Sequence, residues 1–580
     1  MLSALLDRAR RDEALWLPEL REAFRGDPDA RPVFLRLTLH DGTRRDFPCA
    51  LPRWESEEEH GFVAEFLYAC VYNILAVYSG REMRLYFDSA DPALCALYDS
   101  LDAVFQLRAE KRRGYGKVIS IAGRIAASDG GGAFRFTRAD LAEYAPLPER
   151  PTPERPAPLD ERLRELCREA GTKGLCGIDV GGTDIKLAVS DGERLICTKE
   201  FDWNPAAYPT AEEITGPIVW LTRLMRACLA ASRVSVPEAV RAALSAALRK
   251  SAALDAVKDA AEQAEAVLGE EINVLDGVGL SFPDIVIHDR ILGGETPKTG
   301  GMRRCADDYE REFAKLSALR DVLLGLCKPG GRVRIANDGS MAAFTAAAEL
   351  AQAENAGELR NGVIAHSLGT DLGTGWLTAE GTIPPLPLEM YDAILDLGSY
   401  RSRAFPPEDL RSTRNENSGL PGARRYMGQA AAYRLAQKKD PALLEGFTAQ
   451  EDGLLTVAAA PRDMRKACLE HLMQRAEGGD AAACAIFRDI GTALSAAARE
   501  MDFLLRPAAR SRFLFGRFVK RPAVFRLLEE GFQKGAPGLR LLPSDEGLAY
   551  TPLMRSLADT PGVTVAQFGQ AVGSIYFALT

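Results

Sequence analysis

The chain has 580 residues, with 72 Lys and Arg against 81 Asp and Glu, 47% apolar residues and 26% charged ones. That composition belongs to a globular chain and excludes a disordered one, a collagen-like repeat and a small disulfide scaffold. A net charge of -9 leaves no electrostatic footprint for duplex nucleic acid or an anionic membrane surface.

In chain order, the first segment reads as a small α/β unit. VFLRLTLHDGTRRDFPC alternates apolar and polar residues about Asp41-Gly42, a hairpin signal because the turn needs positive φ. HGFVAEFLYACVYNILAVYSG predicts a largely buried helix ending near Gly80, MRLYFD a strand, and Leu94, Leu97 and Val104 one face of a further helix. Prolines at 146, 148, 151, 153, 156 and 158 then stop both helix and central strand. Residues 145–160 are therefore expected to be a Pro-rich linker behind a separate N-terminal α/β domain, residues 1–144.

After a helix at Asp160–Ala170, LCGIDVGGTDIKLAVSDGERLICTKEF predicts three consecutive strands with tight turns at Gly181-Gly182 and Asp191-Gly192. Pro237–Leu268 is Ala-rich with helical spacing, a helix or helical hairpin against the core, with a coiled-coil partner surface as the other reading. Strand and helix signals alternate from there to the apolar C-terminal helix VAQFGQAVGSIYFAL, which predicts an α/β fold.

The eleven cysteines include no C-x-x-C pair and read as free thiols in a reducing compartment. The N-terminus lacks the apolar core and cleavage site of a signal peptide, and no run of about 18 apolar residues predicts a membrane span, so a cytoplasmic protein without a membrane partner is expected.

Three motifs carry chemistry. In Asp179-Val-Gly-Gly-Thr-Asp-Ile-Lys186, Gly181 and Gly182 let backbone N–H groups approach a phosphate, and Thr183 adds a hydroxyl. Asp179 is placed to hold Mg²⁺ through water, and Lys186 supplies positive charge or stabilises the turn. The second motif, Leu368-Gly-Thr-Asp-Leu-Gly-Thr-Gly375, offers Gly369, Thr370, Gly373, Thr374 and Gly375 in a loop of the same chemical kind. Two such loops suggest hairpins gripping one polyphosphate, and neither is a Walker loop. The third, Ala336-Asn337-Asp338-Gly339, joins a strand to a helix. It reads as a helix cap when taken alone; beside two phosphate loops, Asp338 reads as the base for a hydroxyl attacking a γ-phosphate.

Together these motifs resemble the ROK family (repressors, open reading frames and sugar kinases) of the superfamily of sugar kinases, heat-shock chaperones and actin, over residues 172–580. The resemblance implies two ribonuclease-H-like lobes around a cleft for ATP and Mg²⁺. The lobes would be residues 161–336, with a helical insertion at about 204–271 and completion by helix 565–580, and residues 337–564. It implies an ATP-dependent kinase of a hexose-like sugar hydroxyl, a phosphotransferase with Asp338 as general base. Asn337, Glu389 and Asp392 would meet the sugar, and Gly516 would lie at the adenosine site.

Asp392 stands where the family has histidine, the family's zinc cysteines are absent, Phe515-Gly516-Arg517 holds one glycine of a pair, and Lys298 lies near the sugar-loop asparagine. No zinc site is expected, and a homodimer is. The alternative is a non-catalytic sugar or nucleotide sensor that uses residues 1–144 as an interaction domain. Their acidic-to-neutral pattern does not resemble the winged helix of family repressors, which argues against nucleic acid.

Overall fold

The computed structural model describes residues 1–105, 116–128, 130–148, 157–293, 296–353, 356–369, 372–401, 405–415, 418–458, 464–543 and 550–580. The chain divides into two compact units. The first comprises Met1–Pro153, His366–Thr374 and Leu386–Pro543, the second Glu154–Ala365, Gly375–Pro385 and Ser544–Thr580.

The first unit begins with helices Leu2–Arg10 and Leu17–Arg25 and a mixed sheet. Its strands are β1 (Arg31–Thr38), β2 (Arg44–Leu51), β3 (Glu82–Phe87) and β4 (Arg135–Asp140), in the order β2-β1-β3-β4. The predicted hairpin joins β1 and β2, with Gly42 at φ +83°. Helix Glu57–Tyr78 starts where Ser56 Oγ accepts the Glu59 N–H and three glutamates favour the positive end of the helix dipole.

This helix and helix Ala481–Leu505 are long and apolar enough to cross a bilayer, which the reading of the sequence did not anticipate. Most of each apolar stretch is buried within the unit, 78% and 61%, as in the core helices of a globular fold.

The expectation of a separate N-terminal domain is corrected here. Residues 1–153 share one unit with residues 386–543, and buried polar bonds explain why. Arg21 donates to both carboxylate oxygens of Glu500 at 2.8 and 3.0 Å, and Asn73 Nδ2 donates to Glu500 Oε1 at 3.0 Å. Arg21 is 5% exposed and Glu500 0%. Burial works against the Arg21 charge, but the Glu500 charge and hydrogen bonds outweigh it and hold its pKa above the usual guanidinium value. Asp396, also fully buried, accepts the N–H groups of Leu15 at 2.7 Å and Gly398 at 2.8 Å and the Tyr426 hydroxyl at 2.6 Å.

The second unit holds a five-stranded sheet. Its strands are β5 (Gly174–Val180), β6 (Asp184–Asp191), β7 (Arg194–Asp202), β8 (Leu275–Phe282) and β11 (Cys327–Asn337), in the order β11-β8-β5-β6-β7. A short hairpin, β9 (Val286–Ile287) with β10 (Arg290–Ile291), precedes β11. β5, β6 and β7 form an antiparallel meander, while β5, β8 and β11 run parallel. The Ala-rich stretch is two helices, Glu238–Ala247 and Leu254–Glu265, packed with helix Ala211–Arg233 against this sheet.

Helix Asp338–Leu350 belongs to this unit, so the expected boundary at 336/337 is also corrected: the unit continues to Ala365. The reason is packing against helix Val565–Phe577. A Cβ on Gly573 would lie 1.9 Å from Thr345 Oγ1, so the two helices touch at a glycine.

The remaining strands are β12 (Val363–Leu368), β13 (Leu372–Leu377), β14 (Thr448–Glu451), β15 (Leu454–Val457), β16 (Ser511–Gly516) and β17 (Arg540–Pro543). β14 and β15 pair as a hairpin, and the others follow the order β13-β12-β16-β17.

Candidate functional site

In the second unit the parallel strands set the geometry. Register pairs Asp179 of β5 with Ser281 of β8, and the next β8 residue, Phe282, with Asn337 of β11. Three carboxyl-terminal strand ends therefore deliver Asp179, Ser281, Asn337 and Asp338 to one edge, the edge at which open α/β sheets bind ligands.

Asp179 is half-buried and hydrogen-bonded to Ser281. Burial pushes its carboxyl up to about 6; Lys186 and Ser281 oppose the shift, and the nearby Asp338 and Asp184 carboxylates add to it. A carboxyl that burial holds partly protonated beside a second carboxylate gains from a cation that neutralises both. Mg²⁺ takes one or two carboxylates and completes its shell with water and phosphate. Asp179 fits that donor set; among the described residues no cluster of three or more His, Cys, Asp or Glu side chains exists to form a closed metal cage.

The Gly181–Thr183 turn joins β5 to β6. Gly181 N–H donates to Asp184 O at 2.8 Å, and a Cβ on Gly181 would lie 3.0 Å from that oxygen, so the closed hairpin crowds any side chain there. Trp203 holds the turn from both ends, its indole N–H on Gly181 O and its backbone N–H on Thr183 O, each at 3.0 Å. Gly182 and Thr183 are exposed. Lys186 pairs with Asp184 at 2.6 Å and faces Asp179 across the β5–β6 ladder, so it both ties the turn and offers charge.

Lys298 lies beside this turn: its Cε is 3.4 Å from where a Gly182 Cβ would be, and its ammonium donates to Pro283 O at 3.2 Å.

Asn337 caps helix Asp338–Leu350. Its Oδ1 accepts the Gly339 N–H and its Nδ2 donates to Asp284 O, both at 2.9 Å. The amide thus fixes the direction in which Asp338 leaves the strand. Gln570, on the C-terminal helix, donates to Ser281 Oγ at 2.8 Å and to the Asp338 carbonyl at 3.2 Å. That helix reaches the sheet because Gly177 and Gly279 lack side chains; a Cβ there would lie 1.9 Å from Ala571 O and 1.8 Å from Ser574 O. Ser281 and Gln570 were missed in the sequence. The available signal was a serine at the end of a mostly apolar strand and a glutamine in a mostly apolar helix.

Residues 366–374 of the second glycine loop belong to the first unit. Gly369 accepts the Gln429 N–H at 3.1 Å through its carbonyl, and Thr370 lies outside the described residues. Gly373 has room for a Cβ, 3.5 Å from that of Ser367. Thr374 is 7% exposed and its hydroxyl bonds His366 Nδ1 at 3.1 Å, which turns it into the interior and not toward a phosphate. Burial, with Arg512 nearby, pushes the His366 imidazole down to about 3, so it is neutral. Gly375 lies in the second unit, where its Cβ would meet Gly339 O at 1.8 Å. Gly516 has φ +111° and abuts Leu368 O, a packing reason for glycine there.

Of the expected sugar ligands, Glu389 is 9% exposed and donates its backbone N–H to Ala76 O. Asp392 is 0% exposed and its carboxylate accepts from Asn415 Nδ2 at 2.9 Å. A carboxylate without solvent contact holds the 390–392 turn from inside, so Asp392 is reassigned from ligand contact to support.

No family model matches the sequence, and no curated protein matches it. Among solved structures, the chain is similar to a ROK family glucokinase from Streptomyces griseus determined with glucose and AMPPNP. The two are 17% identical, covering 70% of this chain and 99% of that one, at a TM-score of 0.37. A ROK hexokinase from Thermus thermophilus is 15% identical, covering 70% and 97%, at 0.36. A ROK family protein from Streptococcus pneumoniae, determined with sucrose, is 13% identical, covering 67% and 98%, also at 0.36. These likenesses carry no residue role over to this chain.

Proposed function

We propose that the chain is an ATP-dependent kinase that transfers the γ-phosphate of ATP to a sugar or polyol hydroxyl. The observation that carries this reading is the meeting of Asp179, Ser281, Asn337 and Asp338 at the ends of three parallel strands beside the exposed Gly182–Thr183 turn. Phosphoryl transfer asks a protein mainly for positioning and charge neutralisation, and this edge offers both.

The backbone of Gly182 and Thr183 receives phosphate oxygens, and Lys186 and Lys298 supply positive charge. Asp338 accepts the proton of the attacking hydroxyl. Asn337 and Gln570 orient Asp338 through the helix start and its backbone carbonyl. Asp179, held by Ser281, would hold Mg²⁺ through water or phosphate, which neutralises charge on the transferring group when bound. Gly369, Thr370, Gly373, Gly375 and Gly516 as nucleotide contacts, Glu389 as an acceptor contact, a cytoplasmic location and a homodimer belong to the same proposal.

The test is Asp338→Ala in the full chain, assayed for ADP release against a panel of sugars and polyols with ATP and Mg²⁺. Loss of a general base lowers kcat by about 10²–10⁴-fold, with nucleotide binding retained. Near-normal turnover on the true acceptor refutes the assignment of the base.

A further inference from the structure

The first unit holds a cavity of about 610 Å³. Its wall combines the end of the first helix, Arg10 to Asp12, with residues between Ser399 and Lys438. Among the described residues, six of its side chains are cationic (Arg10, Arg11, Arg411, Arg414, Arg434 and Lys438), against one carboxylate, Asp12.

Most of these cations have their own acidic partners. Arg10 pairs with Asp7, Arg11 with Glu13, Arg411 with Asp409, and Lys438 with Asp12. Arg414 and Arg434 differ. Among the described residues neither forms an ion pair. Arg414 Nε is buried with no hydrogen-bond partner, and its guanidinium lies 5.6 Å from the Tyr400 ring centroid. Arg434 is 8% exposed; its Nε donates to Arg425 O at 3.2 Å, and its guanidinium lies 4.9 Å from the Tyr426 ring centroid.

Arg434 and the Nε of Arg414 are buried, and among the described residues neither side chain meets a counter-charge, which is costly to hold in a folded protein unless an anion meets them. Two planar forks match the oxygens and charge of a phosphate dianion, whereas a single carboxylate would neutralise one. The cavity also presents the Ser399, Ser412 and Thr413 side chains and an aromatic wall of Tyr400 and Phe405. A second cavity of about 470 Å³ shares Asp12, Ser399, Arg434 and Lys438 and is lined also by Trp16, Tyr426, Leu435 and the carboxylates Glu13 and Asp489. The buried Asp396 carboxylate fixes Tyr426 and the Ser399 backbone from behind. The first cavity thus offers cations for an anion and the Tyr400 and Phe405 rings for an organic group.

We propose that this cavity binds a phosphorylated small molecule, its phosphate on Arg414 and Arg434 and its organic part against Tyr400 and Phe405. The site is separate from the proposed transfer chemistry, since it uses none of the residues assigned to that chemistry. It also depends on the first twelve residues, which lie outside the region of family resemblance.

Calorimetric titration of the full chain tests this, with glucose 6-phosphate, AMP and inorganic phosphate as probes and glucose, adenosine and glucuronate as controls. A phosphorylated probe is expected to bind saturably, its uncharged counterpart not to bind, and glucuronate to bind more weakly. Arg414→Gln should weaken binding by about tenfold or more, the loss of one charge-assisted contact. Arg434→Lys keeps the buried charge but loses the fork and should also weaken it. Asp338→Ala should leave probe affinity within about twofold, less than the weakest contact defined here.

Thermal melts of Arg414→Gln verify that the variant folds, and the probe should raise the melting temperature of the parent more than that of the variant. Several results overturn the proposal. They are no saturable binding of any phosphorylated probe at about 10 mM, weaker than specific sites need; unchanged affinity in folded Arg414→Gln; or glucuronate binding as tight as glucose 6-phosphate. Inorganic phosphate binding as tightly as both esters refutes the role given to the aromatic wall.

Discussion

Arg21→Met probes whether the N-terminal residues are part of one folded core with residues 481–505. Glu500 has no solvent exposure and receives three N–H donors, two from Arg21 at 2.8 and 3.0 Å and one from Asn73 at 3.0 Å. Methionine fills much of the space of the arginine stem but leaves the carboxylate with a single donor. Breaking one side of a buried ion pair costs about 3–5 kcal/mol, because the surviving charge is stranded.

At about 1.4 kcal/mol per factor of ten, amide protection across Glu57–Tyr78 and Ala481–Leu505 should fall by roughly two to three and a half powers of ten. Hydrogen exchange with mass spectrometry reads this, using β5–β7 of the second unit as an internal standard. Arg21→Met with Glu500→Leu removes both charges and should recover most of the loss. A fall of under about tenfold in the single variant, or an equal fall in β5–β7, would refute the reasoning, since neither fits a stranded charge local to the first unit.

Two further outcomes are expected. Burial raises Asp179 from its ordinary 3.8 to about 6 and Glu349 from 4.5 to about 7, so folding favours their protonated forms. Stability of the second unit should therefore be greatest below about pH 4 as far as these two groups are concerned and decline as pH rises to about 7. Melting curves across that range should flatten in Asp179→Asn with Glu349→Gln. Gly279→Val would place a Cβ 1.8 Å from Ser574 O, and the backbone clash should cost about 3 kcal/mol or more. Limited proteolysis should then cut the C-terminal helix Val565–Phe577 faster than in the parent; an unchanged cleavage rate would contradict the close docking.

What could be read from the sequence was local. Asp41-Gly42 and Gly181-Gly182 mark hairpins because turn chemistry depends on adjacent residues. The carboxylates at the ends of β5 and β11 follow from strand-to-loop transitions visible in single segments. The joining of residues 1–153 to residues 386–543 was not legible, since the pairs responsible, Arg21 with Glu500 and Leu15 with Asp396, leave no periodic signal. The proline run at 145–160 suggested separation because proline reports on local backbone and not on distant packing. Asp392 looked like a ligand by position, and only its burial beside Asn415 shows a supporting role. Gln570 is likewise meaningful only once Gly177 and Gly279 admit its helix to the sheet.

The chain crosses between its two units five times, after residues 153, 365, 374, 385 and 543. During synthesis, Arg21 must wait for a partner 479 positions later. At about 5–20 residues per second, that delay is roughly 25–95 s, during which the nascent helix Glu57–Tyr78 lacks the part of its packing that residues 386–543 supply. A ribosome-bound fragment ending before residue 500 should therefore be a strong client for holding chaperones. No contiguous fragment ending at the proline run carries a complete core, so shortened versions of this protein should aggregate where the full chain does not.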